Sequence, residues 1–107
     1  MANGLLAAVR PAATTETALY VVPSSKDAVI NITVCNTGTT KCKIRIGVKA
    51  TNVALTSTDY IVYDRYICVG DVPFQITGIT LTASQAIRVY TDVATVNFHV
   101  NGIEKNA

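Results

Sequence analysis

Tryptophan is absent from this 107-residue chain, and histidine occurs once. A lone histidine, His99, excludes a His-rich metal centre and any two-histidine mechanism. Charge is scarce. Asp, Glu, Lys and Arg make up 15% of the residues, against about 25% in an average soluble domain. A surface with so few charges is poorly guarded against association, which points to partners covering part of it. The net charge of +2 falls short of the dense basic face of a nucleic-acid binder, so no nucleic-acid partner is expected. The two Phe and five Tyr are dispersed and make no stacking platform for bases. No run approaches the eighteen apolar residues of a membrane-crossing helix. The opening Met1-Ala-Asn-Gly-Leu-Leu-Ala-Ala-Val-Arg10 has no basic region and too short an apolar run for a secretion signal, so no membrane partner is expected.

What the chain does have is β-branched residues. Thr, Val and Ile supply 39 of the 107, and their stiff χ1 suits a pleated surface. One domain fits this length, large enough to bury a real core. The clearest stretch is Val29-Ile-Asn-Ile-Thr-Val-Cys-Asn-Thr-Gly-Thr-Thr-Lys-Cys-Lys-Ile-Arg-Ile-Gly-Val48. It consists of two alternating runs around a polar turn at Gly38, which predicts a β-hairpin. In the second run Cys42, Ile44, Ile46 and Val48 point one way and Lys41, Lys43, Arg45 and Lys49 the other. Three cysteines, Cys35, Cys42 and Cys68, cannot close a disulfide framework within one chain. Keeping Ile30, Ile32 and Val34 on the face of Ile44, Ile46 and Val48 puts Cys35 and Cys42 on opposite faces. Free thiols suit assembly in a reducing cytoplasm. Asn31-Ile-Thr33 matches the N-glycosylation pattern; in the middle of a strand and without a secretion signal, the match is read as accidental.

Residues 1–16 are Ala- and Thr-rich, broken by Pro11 and without alternation, and read as an N-terminal arm. Leu5, Leu6 and Val9 suit an arm that orders across a neighbouring subunit; a frayed tail is the alternative. Residues 17–107 form the domain. Strands are predicted over 17–22, 26–36, 41–50, 59–69, 74–82, 86–91 and 95–103, with a loop at 51–58 and a turn at Gly70-Asp71. The alternation of Phe74 and Ile76 passes to Ile79 and Leu81 across Thr77-Gly78, which predicts a β-bulge there. Tyr60-Ile-Val-Tyr-Asp-Arg-Tyr-Ile-Cys68 is apolar on both faces. Either it is bulged, or its outer face meets another subunit through Tyr60, Tyr63 or Tyr66. About seven short strands separated by turns imply one antiparallel β-sandwich, immunoglobulin-like or jelly-roll-like. Without Trp or a suitable Cys pair it is not a true immunoglobulin domain.

No stretch carries a catalytic signature. A triad would need His99 to meet a nucleophile such as Ser24 or Cys68 and an orienting carboxylate, and no motif supports that. The seven acids are scattered, several at turns, and match no calcium loop. No phosphate loop and no Cys-x-x-Cys occurs, so neither an enzyme nor a cofactor is expected. The row Lys41, Lys43, Arg45, Lys49 is a solvated face or a guard against edge pairing, with an acidic partner or DNA as the alternative. Lys43 and Arg45 therefore join the three tyrosines and Leu5, Leu6 and Val9 as interface candidates. A glycan-binding module working through the 51–58 loop is a further alternative, although the loops lack Trp.

The segment Leu19-Tyr-Val-Val-Pro-Ser-Ser-Lys-Asp-Ala-Val-Ile-Asn-Ile-Thr-Val-Cys-Asn-Thr-Gly38 resembles small virion proteins of tailed bacteriophages, frequent among marine and cyanobacterial phages. The resemblance extends to Asp59-Tyr-Ile-Val-Tyr-Asp64, Gly78-Ile-Thr-Leu81, Ile87-Arg-Val-Tyr90 and the closing run from Val96 to Gly102. The basic run around Lys43 and the additional Cys42 and Cys68 depart from that pattern. The resemblance implies a non-enzymatic part of the virion, assembled in the host cytoplasm. A capsid decoration or cement protein, oligomeric and bound to the major capsid protein, comes first. A neck, tail or baseplate accessory is the alternative. No functional residues carry over.

Overall fold

Alternating β-branched residues set the inside of this molecule. The computed structural model describes residues 3–67 and 74–106. Eight strands occur there: β1 (Asn3–Val9), β2 (Thr17–Val21), β3 (Lys26–Asn36), β4 (Cys42–Lys49), β5 (Tyr60–Ile67), β6 (Phe74–Leu81), β7 (Ala86–Thr91) and β8 (Val96–Asn106). They form two four-stranded antiparallel sheets. The first runs β1-β8-β3-β6 and the second β2-β7-β4-β5. Ile30, Ile32, Val34, Val96, Phe98 and Val100 of the first sheet pack with Ile44, Ile46, Ile87 and Val89 of the second in one cluster. Each fully buried side chain of this size stabilises the fold by roughly 1.5–3 kcal/mol.

The hairpin expected across Gly38 does not form. β3 lies between β6 and β8, whereas β4 lies between β5 and β7 in the other sheet. Alternation fixes which face of a strand is buried, and either arrangement buries the same face. The connection passes from sheet to sheet around Asn36, which is buried. Its amide nitrogen donates to the carbonyls of Thr40 and Ile67, and its oxygen accepts from the Gly38 N–H and the Thr95 hydroxyl. Cys42 is buried and Cys35 exposed, so the thiols do lie on opposite faces, in different sheets. Cys68 and the turn expected at Gly70-Asp71 lie outside the described residues.

The arm is a second correction. From Asn3 to Val9 it is a strand of the chain's own first sheet, antiparallel to β8, and it raises the strand count from seven to eight. A bulge at Leu6 lets Leu6, Ala7 and Val9 all lean on the core, while Leu5 points out. That irregularity erased the period of two by which a strand is read.

Two other faults in periodicity are also bulges. Ile30 faces Ile79 and Ile32 faces Ile76, so β6 carries an extra residue at Thr77-Gly78, as expected. Gly78 has φ +74, a conformation open to glycine at little cost, and its N–H donates to Asn31 Oδ1 at 3.1 Å. In β5, Ile44 faces Arg65 and Ile46 faces Val62, with Asp64 at φ +52. The Tyr-rich strand is therefore bulged, and its tyrosines still reach the surface.

Candidate interaction surface

The outer face of the second sheet gathers most of the candidate residues. Alternation along β4 sends Lys43 and Arg45 outward, and the β5 bulge turns Tyr63 and Tyr66 toward them. The Arg45 guanidinium sits 4.5 Å from the Tyr63 ring centre and 4.6 Å from that of Tyr90. Its Nε donates to Asp64 Oδ1 at 2.6 Å. That hydrogen bond is the main reason Arg45 titrates above its ordinary range and Asp64 below its own. Lys41 and Lys43 lie 4.7 and 5.4 Å from the Tyr66 ring centre. Cation–ring contacts at such exposed sites are worth about 0.5–1 kcal/mol each. Arg65 covers the Phe74 ring at 4.3 Å, joining the facing edges β5 and β6 of the two sheets.

The 51–58 loop folds over the rest of this face. Leu55 rests on Gly47, where any Cβ would collide with it. Glu16 Oε2 accepts from the Leu55 N–H and from Arg88 Nε, and Arg88 donates onward to Asn52 Oδ1. Asp59 closes the loop by accepting from the Thr56 N–H, the Thr56 hydroxyl and Lys49 Nζ. These bonds, the Thr56 amide first, hold its carboxyl below the usual range. Where loop meets strand, Ser57, Tyr60 and Tyr63 line an open cavity of about 360 Å³. Tyr60 and Tyr63 meet edge to face, 4.9 Å between centres at 71°.

The structure thus brings Tyr60, Tyr63, Tyr66, Lys43 and Arg45 into one patch. The other candidates are elsewhere: Leu5 is exposed on the first sheet, and Leu6 and Val9 pack against the chain's own core. Tyr90 was missed although its phase, outward beside buried Val89, is legible in the sequence. His99 faces outward between Ala8 and Thr33, and its side chain makes no hydrogen bond or ion pair among the described residues. Among those residues no group of three or more His, Cys, Asp or Glu is placed to hold a metal. The patch offers rings, cations and hydroxyls. Compared with protein-family models, with curated proteins and with solved structures, the chain matches none.

Proposed function

We propose that this chain is a non-enzymatic virion structural protein of a tailed bacteriophage, a decoration or cement protein that binds the major capsid protein and stabilises the head shell. The observation that carries the reading is the strand order. The orders β1-β8-β3-β6 and β2-β7-β4-β5 are compatible with a jelly roll, the two-sheet architecture used by viral capsid domains among others. Every connection but the one from β4 to β5 passes between the sheets, which is why Leu19 to Gly38, the segment with the virion-protein resemblance, contributes to both. Particle reconstruction or labelled antibody tests the reading. Hundreds of copies over the head are expected. A few copies at one vertex, along the tail or on the baseplate would favour the accessory role, and absence from the particle would overturn both.

The cavity beside the 51–58 loop favours a second reading, a host-glycan-binding adhesin. Jelly rolls also serve as lectin domains. Two tyrosine rings beside a serine hydroxyl offer the aromatic face and polar partners that a sugar uses. A glycan array decides: saturable binding lost on Tyr60→Ala and Ser57→Ala would put this reading first, and an empty array would remove it.

A further inference from the structure

The molecule's two outer faces differ in charge. The three ion pairs among the described residues, Arg45–Asp64, Lys49–Asp59 and Arg88–Glu16, all lie on the side of the second sheet, and the 51–58 loop covers part of that side. Among the described residues the first sheet has no such cover. Reading across it, Asn3, Ile103, Val29 and Thr80 form one row over the four strands. Leu5, Asn101 and Asn31 form the next, and Ala8, His99, Thr33 and Gln75 another. No Asp, Glu, Lys or Arg occurs in these rows. Charges begin only at the margins, where Asp27 faces Lys105 and Arg10 bonds Asn97 and Thr37. Within the rows Leu5 is 63% exposed, Ile103 54% and Val29 43%.

We propose that this outer face of the first sheet is the contact between two copies of the chain, docked face to face about a two-fold axis. A charged partner would surrender hydration here and find no countercharge. A second copy brings the same uncharged rows, so no ion is stranded at the centre of the contact, and an isologous contact closes at two. The Asn101 side chain makes no hydrogen bond among the described residues, and an amide both donates and accepts, so it is able to pair with its own symmetry mate. The extent suits a pair of modest size. Strands of 7, 11, 11 and 8 residues, about 4.8 Å apart and rising about 3.3 Å per residue, present about 590 Å² with the margins included. A pair would bury about 1,200 Å² in all, above the roughly 1,000 Å² that a specific interface clears. The inference is independent of the virion reading, which stands or falls on particle location.

Sedimentation of the purified full chain across micromolar concentrations tests it. A dimer is expected, with its dissociation constant raised at least about 100-fold by Val29→Lys or Ile103→Lys. Lys43→Ser and Tyr66→Ser, on the opposite face, should leave it unchanged. Circular dichroism checks that each variant is folded, and the near-isosteric Val29→Thr serves if a lysine variant is not. Cys35 lies on the proposed face, one pair beyond Thr33 toward the Asn97 margin, and gives a second readout. Its alkylation, followed by peptide mapping, should slow as concentration rises through the dissociation range, but not in Ile103→Lys. A monomer at every concentration would overturn the proposal, as would a dimer that survives both lysine variants or leaves Cys35 equally reactive. Capture of the monomer by phage heads through this face would assign it to the particle instead and would likewise overturn the pairing.

Discussion

The Tyr20 hydroxyl donates to the buried carboxylate of Glu104, tying β2 of one sheet to β8 of the other. Burial, followed by this bond, raises the Tyr20 pKa far above the usual phenol range. Tyr20→Phe removes the donor and leaves the carboxylate without one. Urea unfolding should show a loss of about 1–3 kcal/mol. Adding Glu104→Met should recover part of it, because an apolar pair of similar shape leaves nothing unsatisfied. Asp59 and Asp64 set a pH dependence. Both carboxyls titrate below their unfolded value, so their stabilising effect is present above that value, near pH 4, and is lost as pH falls through the folded one. Acid titration of Asp59→Asn/Asp64→Asn should therefore show lower stability at neutral pH and a shallower decline toward acid. A decline as steep as that of the parent would contradict the assignment. The chemistry of these side chains is plain in the sequence, but their partners are not: Arg45 and Asp64 are nineteen positions apart, and Tyr20 and Glu104 eighty-four.

At the scale of elements, a strand was legible wherever its alternation was unbroken. β3, β4, β7 and β8 read directly, and the phase change in β6 located its bulge. β1 was hidden because its bulge puts Leu6 and Ala7 on the same side and because Pro11 follows closely. Its status as a strand gives a prediction. Deleting residues 3–9 removes the packing of Leu6 and Val9 and exposes the long edge of β8. Thermal and urea unfolding should show a loss of at least about 2 kcal/mol, and the truncated chain should aggregate through its new edge. Retention of full stability would restore the reading of this segment as a detached arm.

For the molecule as a whole, connectivity is the distinctive feature. Among the described strands, only β4 and β5 are neighbours both in sequence and in a sheet. Most pairings therefore close long loops before any contact stabilises them. Stopped-flow refolding is expected in the millisecond-to-second range of all-β domains, and microsecond folding would contradict this account. The same connectivity decides which side chains share a surface. Charges that look evenly spread along the chain are segregated, with ion pairs on one side and neutral rows on the other. Lys43 and Arg45 meet Tyr63 and Tyr66 because β4 pairs with β5, and Val29 meets Ile103 because β3 pairs with β8.

The sequence by itself determined the all-β class, the inward face of each regular strand and the site of the β6 bulge. These follow from a local period of two, which each segment carries regardless of its neighbours. Only the tertiary structure decided which strands lie side by side, that the first segment belongs to the fold, and that the tyrosines gather around the β4 cations. Pairing partners depend on how two sheets cover one shared core, and a run such as Ile44-Arg-Ile46 buries the same side chains equally well in either sheet.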